Sequence, residues 1–213
     1  MTQDQKGHKW FASIYDRMMA SGERSFMRDV REEIAGGARG RVLEIGAGTG
    51  ANFPYYNDHA DEIFATEPDP YMLRRAKRRA KKVGRPIELR QASAEHLPFE
   101  DASFDTVVST LVMCTVGDPL RALVEVRRVL RPSGELRMYE HVRYDHAFGA
   151  FWQDLITPVW RWFAAGCHPN RDVASFVREA GFEFERLEPM KPFPPIPPFV
   201  FARPHIKGVA RPA

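Results

Sequence analysis

The stretch Arg41-Val42-Leu43-Glu44-Ile45-Gly46-Ala47-Gly48-Thr49-Gly50 decides the fold. Val42, Leu43 and Ile45 are apolar strand formers, and a glycine turn follows them at once. Glycine removes the Cβ, so the chain can turn sharply and a ligand can lie against bare backbone amides. Dinucleotide sites space their glycines as GxGxxG and rest a pyrophosphate on a helix N-terminus. Here the spacing is GxGxG, and an acid, Glu44, stands two residues before the first glycine. That variant suits a ligand with no pyrophosphate to hold.

Downstream, residues 61–66 read as a second strand that stops at Glu67-Pro68-Asp69-Pro70. Glu67 falls about twenty residues beyond the glycine turn, where a carboxylate can accept two ribose hydroxyls. The alternative is a solvated turn acid. Pro70 suits the first turn of a helix and Asp69 its cap. That helix carries Met72, Leu73, Ala76, Ala80 and Val83 inward, and its other faces are basic from Arg74 to Arg85. No aromatic residues interleave the charges as a strand-binding platform requires, so nucleic acid is not an expected partner. A solvated face is the simplest reading, and an anionic membrane surface the better functional one.

Further strands are expected at 87–91, 104–109 and 135–142, with two late ones near 182–188 and 199–210 around the proline-rich stretch 192–198. Asp118-Pro119 opens a helix bearing Leu120, Leu123, Val124 and Leu130, closed by Pro132 and Gly134. Asn170 caps another through Val173, Phe176, Val177 and Ala180, which Gly181 stops. Upstream, Trp10, Phe11, Ile14, Tyr15, Met18 and Met19 share one helical stripe, and a second helical stretch runs to about Ala35. Strands alternating with helices imply an α/β fold, doubly wound, with a mostly parallel sheet, helices on both faces and one antiparallel edge strand.

Composition sets outer limits. At 213 residues the chain suits one well-cored domain and is short for two, which leaves a nicotinamide enzyme no room for its second domain. Its 31 basic and 28 acidic residues give a net charge of +3, so bulk charge names no partner. Only Cys114 and Cys167 are present, which is no disulfide framework and fits a reducing cytoplasm. The polar start Met-Thr-Gln-Asp-Gln-Lys lacks a signal core, and no run of about 18 apolar residues predicts a spanning helix. No clustering of His, Cys and carboxylates along the chain points to a metal, and Cys114 reads as a packed thiol.

The glycine turn with Glu44 resembles the nucleotide loop of class I S-adenosylmethionine methyltransferases. The second half is more specific. Ser109-Thr-Leu-Val-Met-Cys-Thr-Val116, Glu140-His-Val142, the tryptophan-rich stretch from Trp152 to Gly166-Cys167, and Arg203-Pro-His-Ile-Lys-Gly208 resemble the methyltransferase-like-seven family. Its eukaryotic members are thiol S-methyltransferases. The resemblance covers roughly residues 38–210 and implies a Rossmann-like, seven-stranded sheet, S-adenosyl-L-methionine as cofactor and S-adenosyl-L-homocysteine as product. It implies cofactor contacts at Glu44, Gly46, Ala47, Gly48, Gly50, Asn52, Glu67, Pro68, Ser93, Ala94, Thr110 and Leu111. Ser93 stands where relatives usually carry an aspartate facing the adenine amine, so the contact loses its charge. Those relatives also carry an apolar N-terminal anchor, whereas this chain starts polar. Peripheral attachment at the inner face of the membrane through Trp10 and Phe11 is the corresponding expectation.

His141 ends the fifth strand on the ligand edge of the sheet. With an unperturbed pKa of about 6.5 it suits orienting or deprotonating an acceptor, and a structural role is the alternative. Tyr15 suits closing over the methionine end, with packing as its alternative. Phe148, Phe151, Trp152, Trp160, Trp162 and Phe163 suit either a lid over a greasy acceptor pocket or extra core. The expected organisation is a helical lid over residues 1–37 and a methyltransferase domain over 38–213. The expected function is methyl transfer to a small lipophilic acceptor, a thiol by preference, with no obligate protein partner. The alternatives are a phospholipid or quinone methyltransferase at a membrane surface, and a non-catalytic nucleotide-binding partner protein.

Overall fold

Seven strands form one sheet in the order β3-β2-β1-β4-β5-β7-β6. They are β1 (Gly40–Ile45), β2 (Ala60–Thr66), β3 (Ile87–Arg90), β4 (Phe104–Thr110), β5 (Leu130–His141), β6 (Phe182–Met190) and β7 (His205–Pro212). The helices are α1 (Arg28–Ile34), α2 (Pro70–Val83), α3 (Pro119–Val129), α4 (Ala147–Phe163) and α5 (Val173–Glu179). The computed structural model describes residues 26–164, 166–192 and 199–213. Residues 1–25, with Tyr15 and the expected lid stripe, lie outside them, as do residues 193–198 and the side chain of Phe163.

Strand side chains alternate between faces, and the sequence exploits this. Leu43, Ile45, Phe64, Val107, Leu136 and Met138 enter one core with Leu123 and Val126 of α3 and Val173 and Val177 of α5. Their sequence neighbours Val42, Ile63, Ala65, Val108 and Tyr139 enter a second core with Val30 and Ile34 of α1 and Ala76 and Ala80 of α2. Adjacent apolar residues thus feed opposite faces, which is what a doubly wound parallel sheet requires. The pairings β3–β2–β1–β4–β5 are all parallel. β7 runs antiparallel to both β5 and β6, so the antiparallel pair occupies the sheet edge with β7 inserted one strand in. Met27, Val30, Ile34 and Ala35 are buried, so residues 27–35 pack as part of the core.

Local chemistry fixes the helix starts. Asp69 accepts from the backbone of Tyr71 at 2.7 Å and Met72 at 3.2 Å, ahead of Pro70. Asp118 accepts from Arg121 N at 3.0 Å, ahead of Pro119. Each such cap is worth about 0.5–2 kcal/mol. The cap of α5 differs from the sequence expectation. Asp172, which stands directly before Val173, accepts from Ser175 N at 3.1 Å, while Asn170 lies two residues further out and its amide donates to Asp154 at 2.8 Å. β5 also starts earlier than expected. The chain turns extended at Leu130, which pairs with Phe104, so Pro132 and Gly134 lie within β5 rather than closing α3.

α4 is fastened by one buried glutamine. Gln153 accepts from Tyr144 N at 2.7 Å and donates to the carbonyls of Val142 at 3.2 Å, Pro169 at 3.0 Å and Phe201 at 3.0 Å. Its opposite face carries Phe148, Phe151, Trp152, Leu155, Val159 and Trp162, all exposed, so these aromatics are not extra core. Among the described residues no helix is long and apolar enough to cross a membrane.

Candidate active site

The carboxyl ends of β1, β2, β4 and β5 converge on one edge of the sheet, the edge where open α/β sheets hold ligands. After β1 the backbone enters the left-handed region at Gly46 and Gly48 (φ 56° at both) and at Gly50 (φ 79°). The three glycines serve different ends. A Cβ at Gly46 would come within 2.8 Å of the Val112 side chain, and one at Gly50 would collide with the Phe53 ring. A Cβ at Gly48 would meet nothing within 4 Å, so that turn is left bare. Ala47 N donates to the Thr66 carbonyl at 2.9 Å, which ties the turn to the end of β2.

Glu67 closes the other side. One carboxylate oxygen accepts Gly48 N–H at 2.8 Å and the other accepts Asp69 N–H at 2.9 Å. Each oxygen keeps a free lone pair for a further donor. Burial raises the Glu67 pKa to about 6 against the pull of those two bonds. Beside it lies a cavity of about 300 Å³ lined by Gly46, Glu67, Pro68, Ser93, Ala94, Leu111 and the segment Thr115–Gly117, among others. Six of the twelve residues expected at the cofactor therefore line a single hollow. Glu95 lines it as well and was not singled out from sequence. Burial opposes its ionisation, but the Ser93 hydroxyl and the N–H groups of Asp118 and Gly117 outweigh that and hold its pKa below the usual value. The Ser93 hydroxyl is thus engaged with Glu95. The acid two residues after Ser93 was the available signal.

Glu44, Asn52 and Thr110 form a side-chain network instead of lining that hollow. Glu44 accepts from Asn52 Nδ2 at 3.0 Å and from the Tyr56 hydroxyl at 2.8 Å, and Asn52 Nδ2 also reaches Thr110 Oγ1 at 3.1 Å. Arg31 of α1 donates to the side-chain oxygen Oδ1 of Asn52. All but Thr110 are buried, and burial raises Glu44 to about 7. The part played by Arg31 was missed, since an arginine in a short helix ordinarily faces water. The network anchors the loop that carries Gly48 to the strand that carries Thr110. Next to it Leu111 takes φ 59° with its N–H bonded to the Tyr139 carbonyl at 2.8 Å. A leucine held left-handed costs about 1–2 kcal/mol, and such residues concentrate at functional sites.

Glu140, at the end of β5, holds the segment after β4. It accepts Ser109 Oγ at 2.6 Å, Val112 N at 3.0 Å and Met113 N at 3.0 Å. Burial raises its pKa to about 7. Beyond it, His141 Nδ1 lies 3.4 Å from Cys167 Sγ, and one donor atom from each of Cys114, His141 and Cys167 falls within 4.8 Å of the others. Cys114 is buried, as the packed-thiol reading has it, and the fold adds a His/Cys group that the sequence reading does not contain. Parallel pairing of β4 with β5 brings 114 beside 141, and the chain leaving α4 returns 167 to both, a juxtaposition no local spacing encodes. Cys167 is held below the ordinary thiol range by Cys114 and the His141 ring, and Cys114 is pushed above it. The His141 ring stands edge-on to His205, centroids 4.2 Å apart.

A bare glycine turn facing a buried carboxylate, on a seven-stranded sheet with an antiparallel edge pair, is the arrangement of a class I S-adenosylmethionine-dependent methyltransferase. Residues 43–138 match the methyltransferase domain family. The chain belongs to the family of the thiol S-methyltransferases TMT1A and TMT1B. It is 32% identical to human thiol S-methyltransferase TMT1B over 210 residues, covering 92% of this chain and 80% of that protein. It is 39% identical over 108 residues to a phosphatidylethanolamine N-methyltransferase of Cereibacter sphaeroides, covering 50% of this chain and 53% of that one. A putative methyltransferase from Bacillus halodurans shares the fold, with a TM-score of 0.71 at 19% identity over 89% of this chain and all of its own.

Proposed function

We propose that this methyltransferase acts on a small lipophilic thiol, with its cofactor seated between the Gly46–Gly50 turn and Glu67. The observation that carries the cofactor site is Glu67, fixed by two backbone N–H groups with a lone pair free on each oxygen beside the 300 Å³ cavity. Glu67 takes the ribose hydroxyls, Gly48 allows close approach of the methionine end, and Ser93, Ala94 and Glu95 face the adenine. Glu44, Asn52 and Thr110 position the turn from behind.

When bound, S-adenosylmethionine supplies a methyl group on a sulfonium whose leaving thioether is neutral. The protein's task is then to align acceptor and methyl and to exclude water, and orientation of this kind contributes ~7–11 kcal/mol at best. A thiol, with a free pKa of about 8.5, needs only a modest local push to become the nucleophile. His141 stands at the right edge of the sheet to orient it. Tyr15 and the N-terminal segment around it are assigned to closure over the pocket. Kinship with TMT1B over most of both chains supports thiol over other acceptors. The test is formation of demethylated cofactor with a panel of alkyl and aryl thiols, amines and phospholipids. Turnover of amines or lipids alone refutes the thiol assignment.

A second reading rests on the exposed aromatic face of α4. Trp and Phe at this density on one helix face suit the interfacial region of a bilayer, where a lipid acceptor would be met. Activity that requires vesicles and ignores soluble thiols would favour it.

A further inference from the structure

Outside the cofactor cavity, the strongest unassigned chemistry is the group Cys114, His141 and Cys167. A tetrahedral site with metal–sulfur bonds near 2.3 Å and metal–nitrogen bonds near 2.0–2.1 Å places its donor atoms about 3.6–3.8 Å apart. The Cys167–His141 separation is 3.4 Å, and all three donor atoms lie within 4.8 Å of one another, so only small rotamer shifts separate the set from ligation. Two sulfurs and an imidazole select soft cations over magnesium or calcium.

We infer that Cys114, His141 and Cys167 form a three-ligand site for a soft divalent cation of the zinc class, with the fourth position open to the acceptor thiol. The cation-binding half stands on the cluster alone. The acceptor half rests on the thiol reading above.

The surroundings support a built site. Arg171 donates to the carbonyls of Met113 at 2.6 Å and Val116 at 2.7 Å, and His168 N donates to the Cys114 carbonyl at 2.7 Å. These bonds, with Glu140 on Val112 and Met113, fix the segment that presents the Cys114 sulfur. Such outer partners orient metal ligands. Two thiolates balance a divalent charge, so the loaded site is neutral apart from its fourth ligand. Cys114 and Cys167 are buried while the His141 side is partly open, which leaves an approach on that side. The Cys114 sulfur lies 3.5 Å from the carbonyl of Leu111, which lines the cofactor cavity together with Val112 and Thr115, so the group sits one residue behind that cavity.

The chemistry balances. A thiol replaces a water on the cation and releases its proton to solvent. The bound sulfur's lone pair forms the new S–CH3 bond as the sulfonium S–CH3 bond breaks. The electron pair of that broken bond stays on the adenosyl sulfur. The product thioether, neutral and a weak ligand, yields its place to water.

Cobalt titration of the full chain, kept reduced with a phosphine, tests this. One equivalent of Co²⁺ should give thiolate-to-cobalt charge transfer in the near ultraviolet and the visible bands of a tetrahedral ion. Cys167→Ser should lose most of the charge transfer, and His141→Ala should weaken binding by more than the ~10–100-fold typical of losing an outer partner. A soluble alkyl monothiol should then strengthen the charge transfer. No cobalt bands in wild-type protein that still binds S-adenosylhomocysteine would overturn the site, as would bands unchanged in Cys167→Ser. A Cys114–Cys167 disulfide persisting in phosphine would also overturn it. A spectrum indifferent to monothiol overturns the open-position half. Cobalt bands that respond to thiol, with no thiol methylated by the zinc-loaded protein, uphold the site and refute the acceptor reading instead.

Discussion

Replacing Glu67 by glutamine tests the cofactor site most directly. The carboxylate accepts two backbone N–H groups, at 2.8 and 2.9 Å, and is assigned two ribose hydroxyls. A glutamine offers one oxygen and turns an NH2 toward the other pair of donors. The bound state then loses one charge-assisted bond and weakens another, a cost of about 1.5–3 kcal/mol. That is about 10–150-fold in Kd. The pH dependence follows from the same group. Burial raises Glu67 from the ordinary 4.5 to about 6, so without ligand the folded chain holds this proton more tightly than the unfolded chain. Its contribution to stability therefore falls as pH rises from 4.5 to about 6, by at most ~2 kcal/mol. Ribose hydroxyls favour the ionised form, so affinity for S-adenosylhomocysteine should be full above pH 6 and decline below it. Calorimetric titration of wild type and Glu67→Gln between pH 5 and 8 reads both effects. A folded Glu67→Gln protein that binds within twofold of wild type refutes the ribose assignment. So does a wild-type affinity that is flat across pH 6.

Three further outcomes are expected. Gly48→Ala should fold with a penalty of about 1–2 kcal/mol for its left-handed backbone, yet lose cofactor affinity, since its methyl projects into the open side of the turn; retained affinity by calorimetry would show that no ligand lies there. Glu44 is raised to about 7 by burial, so its contribution to stability declines as pH rises from 4.5 to about 7, by at most ~3–4 kcal/mol. In urea unfolding at pH 5 and pH 8, Glu44→Gln should remove that slope, and an unchanged slope would assign it to other groups. Trp152→Ala, at a side chain 41% exposed, should weaken acceptor binding and spare cofactor binding, and unchanged acceptor kinetics would reject a lid role for α4.

The fold was legible wherever its cause is local. The Val42–Gly50 run, the Asp69-Pro70 and Asp118-Pro119 starts and the Gly181 stop are all set by residues within one turn of each other. The cap of α5 misled because two acceptors, Asn170 and Asp172, stand two residues apart, and the choice depends on where the helix begins, which the local sequence leaves open by one or two residues. The face that α4 turns outward was equally unreadable. Its sequence is apolar nearly all round, and it is the bonds of Gln153 to four distant backbone groups that fix which side faces in. The site divides in the same way. Glycines and acids at strand ends are visible as punctuation, while the Arg31–Asn52–Glu44 network depends on a helix packed across the sheet.

The buried carboxylates show why this edge can be both rigid and receptive. Glu44 and Glu140 use their hydrogen bonds inward, on Asn52 and Tyr56 in one case and on Ser109, Val112 and Met113 in the other. Burial opposes their ionisation, and only full sets of donors hold them in place. Glu67 differs in having two donors spent on loops and capacity left over at a cavity. An acid desolvated to about 6 and still short of partners gains more from an incoming pair of hydroxyls than a solvated one, because less water must be displaced. The first two acids therefore set the shape of the strand-end loops, and the third converts that shape into affinity. Glu140→Gln should accordingly disturb the Cys114 segment and cost S-adenosylhomocysteine less affinity than Glu67→Gln does. Equal losses of affinity in the two variants would show that the edge acts as one undivided unit.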